Sequence, residues 1–418
     1  MTTYLQTLMH LVKGIIGAGV FSMGVAFKNG GVIFALILTP LVGLLVLHCV
    51  TLLIRVIEIK ESQTSQSKNQ NENGSKTYAD TVEEIFLDGP PRVKALAKYM
   101  KIIVNVEICL MNLGFCCIYV VFIGNNMQKA LQYFDVHFSI YIVMLIFITP
   151  MWLSSLITNL KWLAPVSTFA NAILFTAIVI TLYYICVDVQ EFSSLKYIAG
   201  IDTIPLFLAV ALYSYDSVAL VVPLRNEIDR PGKMVGLLGV LNIGFLIVIP
   251  IITALGFFSY FKYGEKIRGT IFLNLPEDDK LVQALLLLVC IQVLFSYPVQ
   301  LYVPVTILWP MIVERYGPFK HNLRMLLCFR TSLVLLTLAI SEAIPFIDLI
   351  ISLIGAICSS CLTLFIPPIL EIVVTSNRDE TNAKRTYILV KDSLIALLAV
   401  VIFFTGIFTS VRDIINSF

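Results

Sequence analysis

The feature that most constrains this chain is a cluster of glycines inside its first apolar segment. Gly14, Gly17, Gly19 and Gly24 interrupt Leu5–Lys28, a stretch long enough to cross a membrane as a helix. Glycine disfavours a helix interior, and this cluster comes about halfway across the bilayer. Lipid cannot satisfy backbone N–H and C=O groups at that depth, so an unwound segment must be covered by protein or line a polar cavity. We therefore predict a broken helix of the kind that forms substrate sites in secondary transporters; close packing of two helices is the alternative.

The composition indicates that the whole chain is embedded in a membrane. Of its 418 residues, 58% are apolar and 13% are charged, whereas a soluble domain carries about 25% charged residues. Apolar runs of about 20 residues, the length that crosses a bilayer as a helix, recur along the chain. We predict an all-α membrane protein that forms a single polytopic transmembrane domain over residues 1–418. Its eleven predicted transmembrane helices are Leu5–Phe27, Val32–Ile57, Tyr99–Ile123, Phe138–Leu156, Leu163–Val187, Ile204–Leu224, Val235–Phe261, Leu281–Val313, Leu323–Ile340, Ile347–Val374 and Ile388–Val411.

The longest polar connection, residues 57–98, follows the second span and is predicted to be a partly disordered cytosolic loop. Its first part, Glu61–Lys76, is rich in Gln, Asn, Ser, Lys and Glu, a composition typical of disorder. Thr77–Phe86 is predicted to be a short amphipathic helix, because Thr77 and Asp80 can cap its N-terminus. The turn at Gly89–Pro90–Pro91 ends this helix.

The distribution of positive charge predicts the orientation in the membrane. Loops on one side contain fifteen Lys and Arg residues, and loops on the other side contain eight. Because cytosolic loops carry the excess, we predict a cytosolic N-terminus. The odd number of spans then places the C-terminus outside the cell or in a lumen. The sequon Asn73–Gly74–Ser75 would be cytosolic and unmodified.

The nine cysteines lie mostly within predicted spans and are interpreted as apolar packing residues. Their spacing indicates neither a disulfide framework nor a metal site. We expect no metal, no cofactor and no nucleic-acid partner. An intramembrane enzyme is disfavoured: Tyr215–Asp216 is similar to half of an aspartyl protease pair, but no Gly-x-Gly-Asp or His-Glu-x-x-His sequence supplies the other catalytic groups.

The sixth predicted span also contains polar residues at its centre. Ser214–Tyr215–Asp216–Ser217 interrupts an apolar run five spans after the glycine cluster. Interrupted spans at corresponding positions of two halves indicate an inverted repeat with a binding site near the middle of the membrane.

An ordered series of short motifs then resembles the proton-coupled amino-acid transporters of the amino acid/auxin permease family. The series covers nearly the whole chain, from the first span to the tenth. Its members are His10–Leu11–Val12–Lys13–Gly14–Ile15–Ile16–Gly17–Ala18–Gly19, Ala26–Phe27–Lys28–Asn29–Gly30–Gly31, Gly89–Pro90–Pro91, Leu113–Gly114–Phe115–Cys116–Cys117–Ile118–Tyr119, Val222–Pro223–Leu224, Gln300–Leu301–Tyr302–Val303–Pro304, Ile344–Pro345, Ser352–Leu353–Ile354–Gly355 and Pro367–Pro368–Ile369–Leu370–Glu371.

The resemblance implies a LeuT-like fold of two inverted five-helix repeats plus an eleventh helix, and symport of small neutral amino acids with protons. It implies that the segment Gly14–Gly19 holds the substrate. Asp216 occupies the family's acidic position, and His10 matches its histidine linked to proton coupling.

Several positions depart from the family pattern. Ile15 stands where Asn is usual, Asp216 where Glu is usual, and Ser217 where Gly or Ala is usual. Ala219 replaces a glycine, and Arg225 replaces an acidic residue. These departures keep a second function open, that of an amino-acid sensor or regulatory paralogue with little or no transport.

The chemistry of the substrate suggests a role for each end of the broken helix. An amino acid carries a carboxylate, which the free N–H groups and positive dipole at a helix N-terminus can bind, and an ammonium, which backbone carbonyls can accept. We expect the backbone of Gly17, Ala18 and Gly19 to bind the carboxylate, and carbonyls near Lys13–Ile15 together with Ser214 to face the ammonium. The predicted substrate-binding residues are Gly14, Gly17, Ala18, Gly19, Ser214 and Tyr215.

Two residues are predicted to couple transport to protons. Asp216 lies near mid-membrane, where an ionised carboxylate is costly and proton exchange is favoured; a hydrogen-bonded core acid or a bridge to Lys13 is the structural alternative. His10 titrates in the range of an acidic compartment, and its alternative is packing at the membrane interface. The expected partners are small neutral amino acids, protons and the lipid bilayer. The plasma membrane is the favoured location, and the lysosomal membrane is the alternative.

Overall fold

A computed structural model describes residues 3–67, 77–157, 160–187, 195–317, 319, 321–376 and 381–417, and these contain helices and turns without any strand. A π-helix, Gly355–Phe365, and two 3-10 turns, Ala18–Ser22 and Ile271–Asn274, also position the candidate site. The α-helices are α1 Tyr4–Ile15, α2 Met23–Gly30, α3 Val32–Ser67, α4 Tyr78–Leu87, α5 Pro91–Lys94, α6 Ala97–Gln132, α7 Ile140–Ser155, α8 Leu160–Cys186, α9 Ile204–Ser214, α10 Val218–Glu227, α11 Val240–Tyr263, α12 Lys280–Tyr316, α13 Asn322–Ala343, α14 Ile347–Ile354, α15 Ile366–Ser376 and α16 Asn382–Asn416.

Within the described ranges, eight helical segments are long and apolar enough to cross a membrane. They are α3, α6, α9 with α10, α11, α12, α13, α14 with the π-helix and α15, and α16. The bent pair of α1 and α2 makes a ninth. The predicted fourth and fifth spans correspond to α7 and α8, whose apolar stretches Ile140–Ser155 and Ala170–Cys186 are shorter than those of the other spans. The all-helical, multi-pass architecture is therefore confirmed, while the count of eleven stays a prediction.

The polar loop is shorter than the sequence predicted. Helix α3 continues to Ser67, so the predicted disorder is wrong for Glu61–Ser67. The rest of that segment, including the Asn73 sequon, lies outside the described residues. The predicted amphipathic helix is confirmed as α4, and its capping box is present: Asp80 N donates to Thr77 Oγ1 at 3.2 Å and Thr77 N donates to Asp80 Oδ2 at 3.2 Å.

The two interrupted spans pack against each other in opposite directions. A Cβ atom built on Gly14 would lie 1.9 Å from Leu220, one on Gly19 would lie 2.4 Å from Tyr213, and one on Gly30 would lie 3.1 Å from Phe207. As residue numbers rise along the first span, those of their neighbours fall along the sixth. The spans therefore cross antiparallel with their breaks at the same depth, as an inverted repeat requires.

The core surrounds these breaks, and the lipid-facing surface is apolar. Phe122, Phe207, Phe245 and Tyr297 are among the largest fully buried side chains. Helix α6 packs along α12, and α11 packs against α2 and α3. Exposed large apolar side chains such as Leu397 and the other outward residues of α16 suit contact with lipid rather than water.

Candidate functional site

The first span is broken where the glycines predicted. Helix α1 ends at Ile15, the 3-10 turn Ala18–Ser22 follows, and α2 begins at Met23. Gly17 has extended backbone angles, φ −111° and ψ −165°, and the segments on either side are bent by 42°. The first N–H groups of the 3-10 turn, on Ala18 and Gly19, have no acceptor within their own turn because no carbonyl precedes them at the required spacing. The break thus presents donors suited to an anionic group.

The sixth span is broken at the predicted polar residues. Helix α9 ends at Ser214, Tyr215–Ser217 is not helical, and α10 begins at Val218. Ser214 Oγ donates to the carbonyl of Gly19 at 3.3 Å and to that of Val210 at 2.8 Å. Ser214 therefore links the two breaks directly.

Open space and unpaired hydroxyl groups both occur along the two breaks. A Cβ atom built on Gly17 would meet no atom within 4 Å, so this glycine borders open space. The hydroxyls of Ser22, Tyr213, Tyr215 and Ser217, which are on or next to the breaks in sequence, are buried, and none makes a hydrogen bond to the described part of the chain. Buried polar groups normally have a partner, so each of these hydroxyls is available to a polar ligand or to water.

Tyr213 is the aromatic wall of this region. Its ring lies against Gly19, whose added Cβ would approach it to 2.4 Å, and its centroid is 5.2 Å from that of Phe115. Close approach of the Tyr213 ring to the Gly19 backbone is feasible only because Gly19 has no side chain.

Asp216 is held by hydroxyl groups from the π-helix. Ser359 Oγ donates to Asp216 Oδ2 at 2.7 Å, and Thr363 Oγ1 lies 3.5 Å from Asp216 Oδ1. The carboxylate also faces the backbone N–H groups of Ser217 and Val218, at the start of α10. It is 9% exposed, and no ion pair to it is present among the described residues, Lys13 included. The predicted mid-membrane acid is thus hydrogen-bonded and buried, without a cationic partner.

The π-helix is seated against α9 by Gly355. A Cβ atom there would lie 2.1 Å from the carbonyl oxygen of Ala209, so only glycine allows this approach. The π-helix residue Cys358, next to Ser359, contacts the side chain of Glu107 from α6. Two carboxyl groups therefore lie against the π-helix, those of Asp216 and Glu107.

The remaining predicted residues lie in different surroundings. Gly14 is still within α1 and allows packing against Leu220. Tyr215 is fully buried and stacks on Phe245 with ring centroids 6.5 Å apart, and its role in substrate binding stays a prediction. Ala18 contributes backbone, and its side chain is outside the described atoms. His10 is on the exposed face of α1 and has no recorded contact with Asp216.

Two charged contacts border the region at its opposite ends. Lys129 Nζ donates to the carbonyls of Phe272 at 3.0 Å and Leu275 at 2.6 Å, and the Phe272 ring packs on that of Phe21, with centroids 4.5 Å apart. At the other end, Arg225 makes a bidentate ion pair with Glu61, with both N–O distances 2.6 Å. These contacts tie the segments flanking each break to neighbouring helices.

Sequence reasoning did not assign several residues of this region. Ser22, Tyr213, Ser359 and Thr363 were absent from the predicted site. The available signal was a run of small polar residues in the tenth span, which starts four positions after Gly355. A hydropathy pattern alone does not show that they face another break.

Comparison with known proteins agrees with this architecture. The chain is 28% identical over 418 residues, 100% of this chain and 86% of the other, to the "Proton-coupled amino acid transporter-like protein pathetic" of Drosophila melanogaster. It is 21% identical to the "Probable amino acid transporter skat-1" of Caenorhabditis elegans, over 99% of this chain and 90% of the other.

Solved structures show the fold. The inward-facing conformation of Mhp1 superposes with a TM-score of 0.57 at 12% identity, covering 100% of this chain and 90% of Mhp1. A closed, bromovinylhydantoin-bound form of Mhp1, described as a nucleobase-cation-symport-1 family transporter, gives a TM-score of 0.56 at 11% identity, covering 100% and 94%. The predicted fold class is thereby confirmed. The model of the family described as "Transmembrane amino acid transporter protein" matches residues 1–412, and this chain belongs to that family of integral membrane transporters.

Proposed function

We propose that this protein is a secondary active transporter that carries small neutral amino acids together with protons. The observation that carries the proposal is the meeting of the two helix breaks, where Ser214 bonds to the Gly19 carbonyl beside the open space at Gly17. Backbone N–H groups of Ala18 and Gly19 would bind the substrate carboxylate. Carbonyls at the end of α1 would accept from its ammonium, with the Tyr213 hydroxyl as a further partner.

The proposed substrate class follows from the size and polarity of the surroundings. Tyr213 and Phe115 close one side of the Gly19 segment with aromatic rings 5.2 Å apart. A short apolar side chain fits beside these rings, whereas a long or charged one would need more space or a charged partner. The name of the Drosophila relative, a proton-coupled amino acid transporter-like protein, supports amino acids as substrates and protons as the coupled ion.

Asp216 is the proposed proton carrier. A buried carboxylate with hydroxyl donors and no cation beside it can be stable in a charged or a neutral form. Energetically, one proton is sufficient: about 2.3 kcal/mol from 100 mV and about 1.4 kcal/mol from one pH unit support roughly 500-fold accumulation. We propose the plasma membrane as the location, with the lysosomal membrane as the alternative, because either gradient would serve. His10 is retained as a proposed second proton-linked residue.

Reconstitution into liposomes tests the proposal. Uptake of radiolabelled glycine, alanine and proline is measured with and without an imposed pH gradient at a clamped membrane potential, and leucine, lysine and glutamate serve as comparison substrates. We expect the gradient to stimulate uptake of the small neutral amino acids and the internal pH to fall with it. Asp216→Asn should remove that stimulation. Equal uptake with and without the gradient would remove the proton from the mechanism, and binding without flux would favour the sensor function.

Filling the open space tests the site separately. Gly17→Val places methyl groups in that space, and its extended backbone accepts a β-branched residue. We expect an increase in KM for alanine with an unchanged melting temperature. Wild-type KM in this variant would contradict the proposed substrate position.

A further inference from the structure

A cluster of charged and titratable side chains lies apart from the helix breaks, where α3, α15 and α16 meet. His48 comes from α3, Glu371 from α15, and Lys391 with Asp392 from α16. The Asp392 side chain is 0% exposed, and those of Lys391 and Glu371 are 19% and 21% exposed. The proposed transport site uses none of the four.

Lys391 is the centre of this four-residue cluster. Its Nζ atom lies 2.7 Å from Glu371 Oε2, 3.0 Å from Asp392 Oδ1 and 3.3 Å from His48 Nε2. An ammonium group has three protons and no lone pair, so its contact with His48 requires that Nε2 accept a hydrogen bond. The ring proton is then on Nδ1, and His48 is neutral. With Lys391 charged and both carboxylates ionised, the cluster would carry one net negative charge.

The two carboxyl groups lie around the same ammonium group. Lys391 Nζ is 2.7 Å from Glu371 Oε2 and 3.0 Å from Asp392 Oδ1, and neither oxygen of Asp392 has a well-directed hydrogen bond to the described residues. An ionised carboxylate buried in this way is costly, and so is a second one beside it. One proton between the two groups would remove the excess charge and supply the missing hydrogen bond.

We propose that Glu371 and Asp392 share one proton, so that the cluster is a proton-binding site separate from Asp216. The titratable and charged groups facing it are His48, Cys49 and Arg55 from α3, Glu371 from α15, and Lys391 from α16. Arg55 is exposed, so it neutralises the buried carboxylates less than Lys391 does.

The position of the site indicates that the compartment predicted to be the cytosol supplies its proton. Helix α15 ends at Ser376 and α16 begins at Asn382, both on the side that the charge distribution predicts to be cytosolic. Lys391 follows nine residues later, about 14 Å along the helix. Because α15 continues directly from the π-helix that carries Ser359 and Thr363, protonation here acts on the element that holds Asp216.

Infrared spectroscopy of the purified full-length protein tests the shared proton without relying on transport. Wild-type protein at neutral pH should show the carbonyl stretch of a protonated carboxyl group, and Asp392→Asn and Glu371→Gln should each lose that component. Asp413→Asn is the matched control, because Asp413 pairs with Arg412 on the same helix at 2.8 Å. It should keep the wild-type spectrum. An unchanged band in both cluster variants would overturn the proposal.

Thermal unfolding supplies a second measurement. A proton held in the folded state and released on unfolding makes stability fall as pH rises, because the folded state then binds more protons. We expect the melting temperature of the wild type to decline with increasing pH above the ordinary carboxylate range, and the decline to be reduced in Glu371→Gln. Since Glu371 is only partly buried, this variant should fold even where Asp392→Asn does not. A decline identical to that of the wild type would exclude the shared proton.

Discussion

Ser359 donates a hydrogen bond to Asp216 over 2.7 Å, and this contact joins the π-helix of the tenth span to the break in the sixth. π-helical turns are rare and occur frequently at functional sites. Here the wider turn places Ser359 and Thr363 on the same side, facing one carboxylate. A shift of the π-helix would therefore change the hydrogen bonding of Asp216 directly.

Replacing Ser359 with alanine should impair proton-driven uptake. A hydrogen bond to a charged group contributes about 1.5–3 kcal/mol, so its loss corresponds to roughly a tenfold or greater decrease in the gradient-stimulated rate. Initial uptake rates in liposomes measure it. Ser360→Ala is the matched control, because Ser360 bonds to the Ala356 carbonyl of its own helix. Equal rates in the two variants would show that the Asp216 contact has no role in transport.

The Gly19 position should not accept even one methyl group. The added Cβ would lie 2.4 Å from the Tyr213 ring, and such overpacking costs about 1–3 kcal/mol. We expect Gly19→Ala to lower the melting temperature and uptake, whereas Gly17→Ala, with no atom within 4 Å of its Cβ, should unfold like the wild type.

A second substitution checks the cause of the Gly19 effect. Combining Gly19→Ala with Tyr213→Leu removes the ring that the methyl group meets, so part of the lost stability should return. Uptake should stay low, because the Tyr213 hydroxyl is also gone. If the double variant is no more stable than Gly19→Ala, the clash is not the cause.

The ion pair between Arg225 and Glu61 should stabilise the packing of α10 on α3. The Arg225 side chain is 5% exposed and that of Glu61 is 52% exposed, so the loss in Glu61→Gln should be near the lower end of the range for charged hydrogen bonds, about 1.5 kcal/mol. Reversing both charges, Arg225→Glu with Glu61→Arg, should recover part of it. The melting temperatures of Arg225→Glu, Glu61→Arg and the double variant form a mutant cycle. Purely additive effects of the two substitutions would show that the ion pair contributes nothing to stability.

Helix α4 should detach in acid. Burial alone would raise the pKa of Asp80, but hydrogen bonds from Thr77 and the Lys101 ammonium, 3.0 Å away, outweigh it and bring the pKa below its ordinary value. The charged cap therefore contributes fully above the unfolded pKa of about 3.9 and is lost as the pH falls through the lower folded value. Amide exchange of Tyr78–Leu87 should accelerate in that acidic window. Thr77→Ala should accelerate it already at neutral pH, since loss of an N-cap costs about 1 kcal/mol.

The sequence predicted the parts of the fold where glycine or polar residues interrupt an otherwise apolar helical run. Glycines in the first span and Ser214–Ser217 in the sixth disrupt apolar helices, so both breaks were predictable. The partners of Asp216 were not, because the short polar run that contains Ser359 and Thr363 does not show which element it faces, and its π-helical geometry leaves no periodic signal. Similarly, the contact of Tyr213, rather than Tyr215, with Gly19 depends on how the backbone unwinds at the two breaks, which the sequence does not show. The Lys391 cluster depends on three helices distant in sequence.

Lys129 should fix the turn Ile271–Asn274 over the first break, on the side predicted to be extracellular. Its ammonium donates to two carbonyls, those of Phe272 and Leu275, and fixes the turn Ile271–Asn274 so that Phe272 covers Phe21 beside the first break. Lys129→Met keeps the apolar stem but removes both hydrogen bonds, each worth about 1.5–3 kcal/mol with a charged donor. Amide exchange of that turn should therefore accelerate at least about tenfold. Lys280→Met, an exposed lysine at the start of α12, removes the same charge without these contacts and should leave exchange unchanged. Acceleration of equal size in both variants would attribute the effect to net charge, and the role of Lys129 in fixing this turn would be wrong.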